Sequence, residues 1–338
     1  RVSGTGFQPV EALSPLPHST QGLSAMEKWE PVYLETHRRG LLKPKVDAAS
    51  EILNQCELCP HRCLVNRHQG ELGICRTGDQ PVVSSYGPHF GEEDPLVGRQ
   101  GSGTIFFTHC NLFCIFCQNW EISHGGEGEE ITAQDLAAIM LFLQRKGCHN
   151  INFVTPSHQV AQILEALPLA IEGGLNVPLV YNTGGYDAVE TLRLLDGVID
   201  IYMPDFKFWD PAVAARLCTA ADYPEVARRA FKEMHRQVGD LVMDEAGVAR
   251  RGLLVRHLVL PDNLAGTKEV MEFLARELSP NTYVNVMGQY RPCGEAHKHP
   301  SLTRFPSGLE LAEAERLARE AGLTRLDRRE KLFRWLEM

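Results

Sequence analysis

The sequence predicts an α/β protein, a parallel sheet covered by helices, with a Cys-rich metal-binding segment ahead of it. Three observations carry that reading. From residue 104 onward, short apolar runs alternate with amphipathic stretches at helical spacing. The apolar runs are near-continuous rather than alternating, as in strands buried on both faces. Seven of the ten cysteines fall between residues 56 and 117, in close-spaced groups.

The elements follow in order. Residues 1–25 are rich in Ser, Gly, Pro and Gln without periodicity, and are expected to be a disordered leader, with Met26 as the start beyond it. Residues 26–100 are expected to hold an N-terminal helix, marked by Trp29, Val32, Tyr33 and Leu34, and then an irregular Cys- and Gly-rich segment over 50–100. Residues 101–325 hold six candidate strands: Thr104–Thr108, Ile151–Thr155, Pro178–Asn182, Val198–Met203, Leu253–Leu260 and Tyr283–Met287. Helical stretches lie at Ala133–Arg145, Gln159–Glu172, Asp187–Leu195, Tyr223–Val238, Thr267–Glu277 and Leu309–Ala321, and 326–338 form a tail. Six units are too few for the full eight-unit barrel, and an open doubly wound sheet is the alternative from pattern alone.

Composition narrows the function classes. The 338 residues are 43% hydrophobic and 23% charged, with a formal net charge of -9, which gives nonspecific nucleic-acid binding no support. No apolar stretch approaches the roughly 18 residues of a membrane span. The start lacks the charged-then-apolar pattern of a signal peptide, so a cytoplasmic location is expected. There, grouped thiols read as metal ligands before disulfides.

In either architecture ligands sit at the carboxyl ends of the strands. The polar residues fall there: Thr155, Ser157 and His158 after the second strand, Asn182 and Thr183 at the third, Asp205 and Lys207 at the fourth, Arg256 on the fifth, Gln289 and Tyr290 after the sixth. Before them comes a loop in which Cys110, Cys114 and Cys117 are spaced C-x3-C-x2-C. Three thiolates on one short loop hold three irons of a 4Fe–4S cluster. The fourth iron is then open, as in metal centres that bind a substrate. The amino and carboxylate groups of S-adenosylmethionine (SAM) suit that position. One electron from a reduced cluster there could then cleave the sulfonium to methionine and a 5′-deoxyadenosyl radical. Leu112, Phe113, Ile115, Phe116 and Trp120 would screen the cluster from water. The alternative is a zinc site borrowing a ligand such as His109, although zinc sites usually pair C-x2-C units.

Upstream, Cys56, Cys59, Cys63 and Cys75 are spaced C-x2-C-x3-C-x11-C, with Gly70 and Gly73 turning the chain back. Four thiolates make a structural zinc site or an auxiliary iron–sulfur cluster; spacing does not separate these, and unmetallated thiols or disulfides are the remaining reading.

The three-cysteine loop resembles the signature of the radical SAM superfamily. Asp205-Phe206-Lys207, Arg256 with Val259-Leu260-Pro261, and Asn182-Thr183-Gly184-Gly185 resemble motifs of pyruvate formate-lyase activating enzyme relatives. Thr155-Pro156-Ser157-His158 and Gln289-Tyr290-Arg291-Pro292 are similar to an activase-like iron–sulfur subgroup. The resemblance covers about residues 50–325 and implies a partial (β/α)6 barrel, one 4Fe–4S cluster and SAM. It also implies a flavodoxin or ferredoxin as reductant and, as substrate, a glycyl residue of a partner protein; the alternatives are another peptide or a small molecule as substrate, or a non-catalytic iron–sulfur or zinc binding protein. Lys207 would meet the SAM carboxylate with Asp205 orienting it, Arg256 the carboxylate or ribose, and Asn182 and Thr183 the ribose. The plain alternatives are a strand-end ion pair and a ligand-free turn. Thr155 and Ser157 stand where the superfamily commonly has Gly-Gly-Glu against the SAM amino group, and offer hydroxyls without charge. His158 faces a ligand or caps its helix, and Tyr290 stands where activating enzymes use a His. Cys293 is an idle thiol or a hydrogen donor; Cys148 and Cys218 read as core residues.

Overall fold

The protein is described by a computed structural model over residues 29–327. The expected leader (1–25), Met26 and residues 328–338 of the expected tail lie outside the described residues. Two helices, α1 (Val32–Arg38) and α2 (Leu42–Ile52), precede the Cys-rich loops. Then come β1 (Val82–His89), α3 (Asp94–Val97), β2 (Ser102–Phe107), α4 (Trp120–Ser123), β3 (Glu129–Glu130) and α5 (Ala133–Arg145). The repeat continues through β4 (Ile151–Val154), α6 (Val160–Glu172), β5 (Leu179–Thr183), α7 (Val189–Leu194) and β6 (Ile201–Pro204). The chain closes with α8 (Pro211–Leu217), α9 (Tyr223–Val238), β7 (Val242–Met243), β8 (Ala249–Leu258), α10 (Thr267–Phe273), β9 (Tyr283–Met287), α11 (Gly308–Glu320) and β10 (Arg325–Leu326).

All described strands join one sheet in the order β10-β9-β8-β6-β5-β4-β2-β1-β3, with β7 antiparallel on β8. From β2 through to β10 every neighbour is parallel. The ends of the order, β3 and β10, do not pair, so the sheet is unclosed. Each of the six expected strands is present. β5 and β6 are buried along their whole length, which is why their sequences read as unbroken apolar runs. Helix starts follow local chemistry: Thr132 and Asp135 form a reciprocal capping box on α5, as Ser307 and Glu310 do on α11.

One expectation is corrected. Residues 82–89, expected within an irregular segment, form β1, antiparallel to β2 from Val83↔Phe107 to His89↔Ser102. The strand was hidden by Gly87 and Pro88, which are tolerated because β3 covers only Val82 and Val83 on the other side. The boundary expected at residue 100 therefore falls within one continuous sheet. The α1 helix is tied to the strand bases through Asp200, which accepts bonds from the Val32 and Leu179 N–H groups at 2.9 and 3.0 Å. Burial pushes that carboxyl up to about 7.

Candidate active site

The cysteine loop leaves β2 through Thr108 and turns sharply. His109 and Phe113 have φ of 68° and 48°, in the left-handed region that costs a non-glycine residue about 1 kcal/mol or more. Those turns put Cys110, Cys114 and Cys117 on the wall of one cavity of about 440 Å³ at the carboxyl ends of the strands. The Leu112 N–H donates to the Cys110 Sγ at 3.3 Å, and the Ser123 hydroxyl to the Cys117 Sγ at 3.1 Å. All three cysteines are free of disulfides. Burial pushes the Cys114 thiol well up, and the Lys207 ammonium acts against that rise.

A charge network lines the same cavity as the thiols. Asp205 accepts from Lys207 Nζ through one oxygen and from Arg256 Nε through the other, both at 2.6 Å. Burial would raise the Asp205 carboxyl, but Arg256 and Lys207 together hold it below its ordinary value. Burial would lower Lys207, but Asp205 and then Cys114 raise it above the ordinary ammonium value. Arg256 also donates to the Asn182 Oδ1 at 2.6 Å and reaches Glu92 Oε2 at 3.5 Å. The Tyr223 hydroxyl fixes the backbone behind these groups: it accepts from the Lys207 N–H at 2.8 Å and donates to the Asp205 carbonyl at 2.7 Å.

Seven of the ten residues expected around SAM line this cavity: Thr155, Asn182, Thr183, Asp205, Lys207, Arg256 and Gln289. Three do not. Ser157 is buried with its hydroxyl 3.0 Å from that of Thr183. His158 is fully buried, its Nε2 2.8 Å from the Thr108 carbonyl, and burial pushes its pKa down to about 3. Tyr290 packs edge-on against Phe116 and donates its hydroxyl to the Leu302 carbonyl at 2.8 Å. The Ser157 and Tyr290 hydroxyls and the His158 Nε2 are used in holding loops together, while the buried His158 Nδ1 has no hydrogen-bond partner among the described residues. Thr183 has also spent its hydroxyl hydrogen, on Asp187 at 2.7 Å. Cys148 and Cys218 are core residues, as read, and Cys293 does not line the cavity. Sequence reasoning missed Glu92 and His89, which reach the cavity from the end of β1. A run of Glu92-Glu93-Asp94 looks like a solvated face, and only the alternation around Val83 hinted at a strand.

The upstream cysteines form a second group. Cys56, Cys59 and Cys75 are buried, and Cys59 lies within electrostatic reach of the other three. Burial pushes the Cys59 thiol up to about 12. The group abuts the loop of Cys110, Cys114 and Cys117: His61 Nε2 is 2.7 Å from the Asn111 carbonyl, and the Arg76 guanidinium lies over the Phe113 ring. Among the described residues no three His, Cys, Asp or Glu side chains are gathered tightly enough to hold a single metal ion.

The decisive comparison is with known families. Residues 104–248 match the family described as the Radical SAM superfamily, and an uncharacterized protein of Methanocaldococcus jannaschii is 34% identical over 300 residues, covering 86% of this chain and 82% of the relative. The chain belongs to the radical SAM superfamily. A second uncharacterized protein of the same organism is 24% identical, covering 80% of this chain and 79% of its own length. A crystal structure of HydG, a maturase of the FeFe-hydrogenase, aligns with a TM-score of 0.45 and 13% identity over 65% of this chain; the chain spans about half (49%) of that protein.

Membership of the radical SAM superfamily implies a 4Fe–4S cluster and SAM. The residues present fit both. Three free thiols line one cavity of about 440 Å³, two of them already accept hydrogen bonds, and the same lining offers an ammonium, a guanidinium, an amide and a hydroxyl. Among the described residues no helix is long and apolar enough to cross a membrane.

Proposed function

We propose that this chain is an activating-enzyme-like radical SAM enzyme whose cluster is held by Cys110, Cys114 and Cys117. Held there by the three cysteines, a reduced cluster would supply the one electron for reductive cleavage of SAM to a 5′-deoxyadenosyl radical, and with it hydrogen abstraction from a substrate. The observation that carries this reading is the meeting of three thiols and the Asp205–Lys207–Arg256 network on one cavity.

The protein's own residues bind and orient. Lys207 has three N–H donors and gives one to Asp205, which leaves donors for the SAM carboxylate. Asp205 keeps that ammonium aimed by gripping it with one oxygen while the other holds Arg256. Asn182 and Gln289 offer amide groups for hydroxyls, and Thr155 offers a hydroxyl for the SAM ammonium. Phe113, Phe116, Leu112 and Leu258 line the same space and exclude water from it.

The proposed substrate is a glycyl residue of a partner protein, on the likeness of Asp205-Phe206-Lys207 and of Arg256 through Pro261 to activating enzymes. The proposed setting is the cytoplasm, with a flavodoxin or ferredoxin as electron donor. The test is 5′-deoxyadenosine formation by anaerobically reconstituted, reduced protein given SAM, quantified by chromatography. The parent should form the nucleoside and Cys114→Ala should not. A parent carrying a reduced 4Fe–4S cluster that binds SAM and yet forms none, with or without a glycyl-containing partner, would sink the reading.

A further inference from the structure

Arg67 is a buried cation without a carboxylate. It retains 2% exposure and forms no salt bridge among the described residues. Its Nη1 donates to the His158 carbonyl at 2.8 Å and its Nη2 to the Cys75 Sγ at 3.3 Å, while Nε has no partner. An unpaired charge so deep is strongly disfavoured. The groups placed to balance it are the sulfurs. The other three sulfurs also face N–H donors: Ile74 N–H bonds to Cys63 Sγ at 3.4 Å, and the Leu58 and His61 N–H groups interact with the Cys56 and Cys59 sulfurs. Gly73 is shaped to the same centre, since a Cβ there would fall 2.8 Å from the Cys63 Sγ. Neutral thiols are weak acceptors; a ring of donors and a buried guanidinium describe a site built for negative charge.

Cys59 lies within electrostatic reach of the other three, yet among the described residues no three His, Cys, Asp or Glu side chains are gathered tightly enough for a single ion. Around a single zinc, with bonds of about 2.3 Å, the four sulfurs would crowd within about 4 Å of each other. A polynuclear core spans a wider gap. We propose that Cys56, Cys59, Cys63 and Cys75 hold a second, polynuclear iron–sulfur centre of net negative charge, with Arg67 as its built-in counter-cation. The proposal does not depend on SAM chemistry at the barrel.

The test uses the full chain with Cys110, Cys114 and Cys117 all changed to Ala, so that the bound metal belongs to the second site. After anaerobic reconstitution it should hold about four irons and as much sulfide per chain, and the parent about eight. Adding Cys59→Ser to the triple variant should abolish the bound iron. If the triple variant fails to melt cooperatively, the parent's stoichiometry decides. Arg67→Met, which keeps the stem and removes the charge, should lose the second centre's iron to a chelator roughly tenfold faster than the parent, equal to about 1.4 kcal/mol of barrier; Arg67→Lys should lie closer to the parent. Zinc in place of iron, no metal in a folded triple variant, or no more than about four irons on the parent would overturn the centre. Equal loss from Arg67→Met and the parent would overturn the role of Arg67.

Discussion

Asp205 is the residue on which the candidate active site turns, because one carboxylate holds two cations that repel each other. The side chains of Asp205, Arg256 and Lys207 retain only 14%, 17% and 19% exposure. Asp205→Asn leaves both cations short of a partner and should cost about 2 kcal/mol, less than for a fully buried pair because some water reaches these groups; a urea melt measures it. Lys207→Met should weaken SAM binding about tenfold on the reconstituted protein, by calorimetry, since it removes the charge we propose for the SAM carboxylate. At this scale the sequence was informative wherever a polar residue stood at a strand end. It was misleading where the same pattern served packing. Tyr290 and His158 looked like Asn182 and Lys207 in the sequence, but the Tyr290 hydroxyl and the His158 Nε2 are spent on the Leu302 and Thr108 carbonyls. Such pairings join residues distant in sequence, and no local rule announces them.

At the scale of elements, the turns after β5 and β6 must lie against each other. Gly185 has a φ of 81°, and a Cβ on it would fall 2.6 Å from the Asp205 carbonyl oxygen. Gly185→Ala combines left-handed strain with a backbone clash and should lower Tm by several degrees or abolish soluble expression; an unchanged melting curve would show that the two turns can separate. The parallel strands and their helices were legible because burial on both faces leaves an apolar run and because helix starts carry capping chemistry. β1 was not, since Gly87 and Pro88 break its pattern and its register is set by β2. Missing β1 meant missing Glu92, which that strand delivers to Arg256. The helix expected through Glu277 narrows to α10, because the last turn from Leu274 to Leu278 winds wider, as a π-helix.

For the molecule as a whole, buried titratable groups set the response to acid. His257 is fully buried between the Phe206 carbonyl and the Thr267 hydroxyl, at 2.8 and 3.0 Å. Burial pushes its pKa from 6.5 down to about 4. Between those values the unfolded chain takes a proton that the folded chain refuses, so stability is lost as pH falls through that window, by at most about 1.4 kcal/mol per pH unit for one site. Asp200 acts the other way. Its pKa is raised from 3.8 to about 7, so its contribution is present at low pH and is lost as pH rises through 7. His257→Gln should therefore flatten the acid side of the Tm–pH curve, and Asp200→Asn should steepen it. Identical slopes in parent and variants would show that neither group carries the effect.

The antiparallel seam between β1 and β2 decides how the gene can be cut. Residues 101–325 look like a self-sufficient catalytic unit, and shortening to them would be a natural choice for expression. That cut would strip β1 from β2 and bare a row of unpaired backbone groups beside a strand of sequence Ser102-Gly103-Thr104-Ile105-Phe106-Phe107. A long apolar edge of this kind templates pairing between molecules. The shortened polypeptide should go to inclusion bodies, whereas trimming that stops ahead of Val82 keeps the seam covered.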